Sequence, residues 1–181
     1  GDADGPNGNV WIGLYSAQEF HQLRGVDGAL VQREGLTNPV RNLGHSPYGA
    51  VVDSNGYVWS GTLSRGTIVG IDGRTGRTSE LITPNRGAPA RSYGFTIDTR
   101  DRLWVGAMNA GVNRYDPYRD ADGNQLRDPL AGGGEWRTQS CGNVNCYLRG
   151  GGADAEGRMW FSNNSGGLLA YNAETLELLG N

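Results

Sequence analysis

Lysine does not occur in these 181 residues; all 16 basic side chains are arginines. The arginines are scattered, and the formal net charge is −3. There is accordingly no basic stripe of the kind that grips nucleic acid or an anionic membrane surface, and no nucleic-acid partner is expected. A high-GC coding bias accounts for the choice of arginine. Long hydrophobic runs are missing too. None approaches the ~18 apolar residues needed to span a bilayer, and the first residues do not read as a secretory signal. We expect no membrane insertion and a chain soluble as given. Cysteine and histidine are scarce, two of each. Cys141 and Cys146 in "SCGNVNCY" lack two further ligands nearby, which excludes a zinc site. The pair leaves two readings: a small disulfide-closed loop, or free thiols in a cytoplasmic protein. We expect the disulfide and, with it, an extracytoplasmic location: secreted, periplasmic or cell-surface.

What is abundant is glycine, 31 residues, many in NG, DG, GG and RG pairs, against only 36% hydrophobic residues. This turn chemistry favours many short strands. No segment sustains a 3.6-residue apolar period without glycine or proline, so no helix longer than about two turns is expected. "AETLELL" (173–179) is the one competitor.

The chain repeats itself. "SPYGAVVDSNGYVWSG" (46–61) returns as "SYGFTIDTRDRLWVG" (92–106) and "YLRGGGADAEGRMWFS" (147–162), and "NGNVWIG" (7–13) is its second half alone. Tyr48, Tyr93 and Arg149 each precede a tryptophan by 11 residues, and Trp11, Trp59, Trp104 and Trp160 are 48, 45 and 56 residues apart. That is the period of a propeller blade with one long insertion. In the cleanest unit, 48–53, 57–63, 67–72 and 77–83 alternate as strands between turns. Four antiparallel strands make one blade, and blades bury their faces against one another. The expected fold is an all-β propeller of about four blades, alone or as part of a larger ring, with units 1–45, 46–90, 91–146 and 147–181. The first unit has no first strand before residue 9, so further blades or another protein chain are expected as partners.

The pattern P-Y-G-x-x-x-D-x-x-G-x-V-W, then G-x-I-x-x-I-D and x-T-G, here "PYGAVVDSNGYVW…GTIVGIDGRTG", resembles the virginiamycin B (streptogramin) lyase family and NHL-like propellers. The resemblance covers nearly the whole chain. It implies a ring of about seven blades and a lyase chemistry that uses a histidine before a first-strand glycine, a glutamate after a second-strand tryptophan and a nearby magnesium ion. The histidine-equivalent positions here are Tyr48, Tyr93 and Arg149; the glutamate-equivalent positions are Leu14, Thr62, Ala107 and Asn163. None supplies the general base or carboxylate of an elimination. His45 lies three residues before Tyr48 and reads either as a residue of the same face or as a loop histidine.

A non-catalytic reading follows. The loops that enter first strands and join second to third strands collect Tyr48, Tyr93 and Arg149 with Thr62, Arg65, Asn109, Asn163 and Asn164 on one funnel face. Such a face suits a sugar, a peptide or a small anionic ligand; the competing role for the tyrosines is ring packing. In the insertion, Asp120, Asp122, Asn124 and Asp128 with the Leu126 carbonyl fall at positions 1, 3, 5, 9 and 7 of a loop. This resembles the calcium loops of integrin-type propellers and thrombospondin-type repeats, and calcium is the expected ion. The alternative is a solvated hairpin turn at Asp122-Gly123-Asn124. "GDADGPNGN" offers Asp2, Asp4 and Asn7 as a poorer set. The functional alternatives are a binding propeller, a lyase-like or lactonase-like enzyme whose catalytic residues lie elsewhere, and a structural subunit joined through open blade edges.

Overall fold

The computed structural model describes residues 8–63, 66–84, 92–108, 111–142 and 145–180. They form four antiparallel sheets in chain order. The first blade holds β1 (Val10–Leu14) and β2 (Glu19–Leu23). The second holds β3 (Gly49–Val52), β4 (Tyr57–Gly61) and β5 (Ile68–Asp72). The third holds β6 (Ser92–Ile97), β7 (Leu103–Ala107), β8 (Gly111–Asp116) and β9 (Glu135–Gln139). The fourth holds β10 (Leu148–Ala153), β11 (Arg158–Asn163), β12 (Leu168–Asn172) and β13 (Leu178–Gly180). Among the described residues the one helical segment is a 3-10 turn at Pro129–Ala131, and 173–179 turns into β13.

The repeated motif is a hydrogen-bonding unit. In each complete copy an aspartate caps the turn between the first two strands and takes the indole N–H of the tryptophan six residues later: Asp53 with Trp59 at 2.7 Å, Asp98 with Trp104 at 2.9 Å, Asp154 with Trp160 at 2.7 Å. Its other oxygen accepts turn amides, from Asn55 and Tyr57, from Arg100 and Arg102, and from Glu156 and Arg158. One carboxylate thus satisfies a buried indole donor and a turn that lacks ladder partners.

That bond fixes the ring against the next blade. Trp59 with Ile68 and Ile82 packs on Leu103, Val105 and Tyr115 of the third blade. Trp104 with Val112 packs on Leu148, Met159, Phe161, Leu169 and Tyr171 of the fourth. Trp11 borders a cluster of Phe20, Val40, Leu43, Val58 and Ile71 that joins the first two blades. The core is therefore three inter-blade layers.

Two details differ from the sequence expectation. The fourth strand of the second blade, expected over 77–83, is reduced to bridges at Thr78 and Ile82. The Ser79 hydroxyl takes the Gly70 N–H at 2.9 Å, the place a ladder carbonyl would fill. The insertion after β8 is a clamp on the neighbouring blade. Its Leu130 is buried in the layer between the second and third blades. Its Tyr118 hydroxyl donates to Asp53, and its Asp128 carboxylate accepts two bonds from Arg77 at 2.8 and 3.0 Å.

Candidate functional site

The innermost strands of the second, third and fourth blades present an arc of aromatic rings at the end of the sheets where β3, β6 and β10 begin. Tyr15, from the β1–β2 turn, lies edge-on to Tyr48 at 6.5 Å between centroids; Tyr48 is 5.2 Å from Tyr93, and Tyr93 is 6.5 Å from Tyr147. Tyr15 and Tyr48 are 49% and 44% exposed, so the arc is open to solvent. The Tyr48 pKa is raised first by its side-chain hydrogen bond with Tyr93, which favours the protonated phenol.

Two backbone features build this arrangement. The ladder slips between Ser92 and Gly94 in β6, and again between Leu148 and Gly151 in β10. Bulges of this kind re-aim a side chain out of the sheet, and here they carry Tyr93 and Arg149. Gly94 is required because a Cβ there would collide with the Arg149 carbonyl; only a bare backbone lets the third and fourth blades approach so closely. The approach seats the Arg149 guanidinium 3.7 Å over the Tyr93 ring and 4.8 Å from the Tyr147 centroid.

The structure brings together Tyr48, Tyr93 and Arg149 as the sequence indicates. It corrects the role of Asn163, whose side chain is spent on the loop: Oδ1 accepts from the Tyr147 and Ser165 amides, and Nδ2 donates to the Asn145 carbonyl. Asn163 thus holds Tyr147 in place. Thr62 is buried. Arg65 and Asn109 lie outside the described residues, as do Asp2, Asp4 and Asn7. Tyr15 and Tyr147 were missed by spacing: Tyr15 sits in a turn outside the repeated frame, and Tyr147 heads the third copy two residues before Arg149, the position that matches Tyr48 and Tyr93.

His45 is buried against the second blade, with Nε2 3.3 Å from the Ser60 hydroxyl, and burial lowers its pKa to about 4. It is a neutral histidine of the interior. Cys141 and Cys146 are joined as a disulfide and buried in the layer between the third and fourth blades, at the entrance to Tyr147.

The calcium candidates do not converge. Asp120 accepts from the Asp122 and Asn124 amides and from the Asn124 side chain, which lowers its pKa, while Asp128 faces Arg77. Among the described residues no three His, Cys, Asp or Glu side chains gather as a metal site. The turn at Gly123, with φ +83°, is of the hairpin kind.

A cleft of about 1090 Å³ lies at the opposite end of the sheets, beneath the insertion. Arg102 there pairs with Asp98 and Glu174, and Arg114 and Arg137 pair with Glu135. These charges already compensate one another, so the larger cavity is the less available for a charged ligand. Arg149 differs: among the described residues its guanidinium has ring contacts and no hydrogen bond or ion pair.

Compared with solved structures, the chain is similar to virginiamycin B lyase from Staphylococcus aureus, with a TM-score of 0.68 and 19% identity over 96% of this chain and 52% of that one. A streptogramin B lyase structure gives 0.64 and 18%, covering 96% and 51%. The extracellular domain of BT3049 from B. thetaiotaomicron, described as a hybrid two-component system, gives 0.61 and 22%, covering 98% and 21%. The chain has a virginiamycin B lyase-like β-propeller fold. It spans about half the length of the lyases it matches. No protein-family model matches it, and no curated protein sequence does.

Proposed function

We propose that this propeller is a non-catalytic, extracytoplasmic binding module whose ligand, a sugar, a peptide or a small anion, sits on the tyrosine face. The observation that carries the reading is the continuous arc Tyr15, Tyr48, Tyr93 and Tyr147 with Arg149 stacked into it. Rigid, amphipathic rings give contact area at low entropic cost, and their hydroxyls supply direction. The disulfide and the extracellular domain among the similar structures support the compartment. A lyase role finds no support in this chain's residues: the positions matching the family's histidine and glutamate hold Tyr48, Tyr93, Arg149, Leu14, Thr62, Ala107 and Asn163. A panel of oligosaccharides, peptides and organic anions screened by calorimetry tests the proposal. A true ligand loses at least about tenfold in affinity with Tyr48→Ala or Tyr93→Ala; binding indifferent to both substitutions would overturn it.

A second reading concerns partners. Val10 and Ile12 on the first blade are 50% and 41% exposed, although the positions matching Val10 (Val58, Leu103 and Met159) and those matching Ile12 (Ser60, Val105 and Phe161) are buried. On the fourth blade Trp160 is half-buried and Leu168 exposed where Trp104 and Val112 are covered. We propose that further blades, of the same or another polypeptide, cover these two faces. Calcium at 120–128 is a separate proposal, since binding there requires Asp128 to exchange Arg77 for the ion.

A further inference from the structure

We propose that Arg149 is a carboxylate anchor and that the ligand of the tyrosine face is an acidic sugar, a hexuronate unit within an oligosaccharide. This rests on the binding-module reading above. Three other inward-lying arginines of this protein set the contrast. Arg102 meets Asp98 and Glu174, Arg158 meets Asp154 and Glu156, and Arg114 donates to the Ala173 and Glu174 carbonyls and to Glu135. Each directs N–H donors to carboxylates of the protein. Arg149 is half-buried, as Arg158 is, but directs none to the protein among the described residues. The Tyr93 ring, 3.7 Å away, covers one face of its guanidinium, and the Tyr147 ring flanks it. Stacking on aromatics leaves the donor-bearing edge of a guanidinium as the direction for hydrogen bonds, and that edge matches both oxygens of a carboxylate. A ligand carboxylate would supply the counter-charge that Arg102, Arg114 and Arg158 already have.

The rest of the face selects the body of the ligand. The Tyr48 and Tyr93 rings meet at 68° and the Tyr15 and Tyr48 rings at 80°, so successive rings offer faces and edges in steps along the arc. A pyranose lays its C–H face on a phenol ring and meets the neighbouring hydroxyls with its own. A uronate joins that ring to a carboxylate.

The test is calorimetric titration of the protein with oligogalacturonate, oligoglucuronate and oligomannuronate, each beside the same oligosaccharide with carboxylates reduced to primary alcohols, and with an acidic peptide. At least one uronate is expected to bind at least about tenfold more tightly than its reduced form. Arg149→Gln should remove that difference, bringing the acidic oligosaccharide to the affinity of its reduced form; Arg149→Lys, which keeps charge without the fork, should fall between. Tyr48→Ala should weaken acidic and reduced forms alike. Uronate binding untouched by Arg149→Gln, or equal affinity for acidic and reduced forms, overturns the anchor while the tyrosine-face reading stands. Binding that survives Tyr48→Ala and Tyr93→Ala overturns that reading as well. Preference for the acidic peptide, or no binding of any uronate, overturns the sugar.

Discussion

The layer between the third and fourth blades and the outer face of the fourth blade are built from equivalent side chains placed in opposite surroundings. Trp104 and Trp160 donate to Asp98 and Asp154 in the same way. Yet Trp104 is fully covered by the fourth blade, whereas Trp160 is half-buried with the Arg158 guanidinium 5.4 Å from its ring centroid. Arg102 reaches forward to Glu174 of the next blade, at 2.7 Å; its counterpart Arg158 folds back to Glu156 of its own turn, at 2.8 Å. Tyr118 of the third blade reaches back to Asp53 of the second as Glu174 reaches back to Arg102. The comparison separates two effects. The motif sets the geometry of each tryptophan by itself, and only a neighbouring blade turns that geometry into burial.

The largest expected effect tests that separation directly. Trp104→Ala should cost about 3–5 kcal/mol, the range for truncating a buried aromatic residue. In this chain on its own Trp160→Ala should cost about 1–2 kcal/mol, because that ring is only partly covered. Urea midpoints of the two variants measure both. Equal losses would show that another blade covers Trp160 in solution, as the partner proposal requires.

Next in size is a pH effect that arises at one buried side chain, His45. Burial holds the His45 pKa down at about 4, against an ordinary 6.5. The unfolded chain therefore takes up a proton between about pH 6.5 and pH 4 that the native state refuses. The stability involved is fully present above pH 6.5 and drains away as pH falls through that window, by up to about 3 kcal/mol. His45→Gln should flatten the dependence of melting temperature on pH between 5 and 7. An unchanged slope would place its origin elsewhere.

Reducing the Cys141–Cys146 bond should cost about 2 kcal/mol, since so short a loop gains little from closure. The loss should fall on the third and fourth blades, because both sulfurs pack in their shared layer. Thiol titration of the unfolded, unreduced protein is expected to find no free thiol, and a free pair would rule the bond out. Calcium should have the smallest effect. An ion bound only to the native loop stabilises by about 2.7 kcal/mol at a hundredfold excess over Kd, and here it must first displace Arg77 from Asp128. Millimolar calcium is expected to shift the melting temperature slightly at most. A larger rise abolished by Asp120→Ala with Asp122→Ala would establish the ion in this loop.

The blades were legible in the sequence because their determinants are local. An aspartate, a tight turn and a tryptophan six residues on must recur at fixed spacing in every copy, since one carboxylate has to reach both the turn amides and the indole. The cysteine pair was legible for the same reason: its partners are near neighbours in the chain. The tertiary structure decided what depends on how blades approach one another. Arg149 meets Tyr93 only because Gly94 admits the neighbouring backbone and two bulges turn the side chains toward each other. His45 is neutral only because the folded chain buries it. Leu130 belongs to the core only because the insertion folds back across the second blade. Turn chemistry is written within a dozen residues; the packing distance between two sheets depends on side chains 40 or more residues apart, such as Tyr93 and Arg149, and no periodicity of the sequence records it.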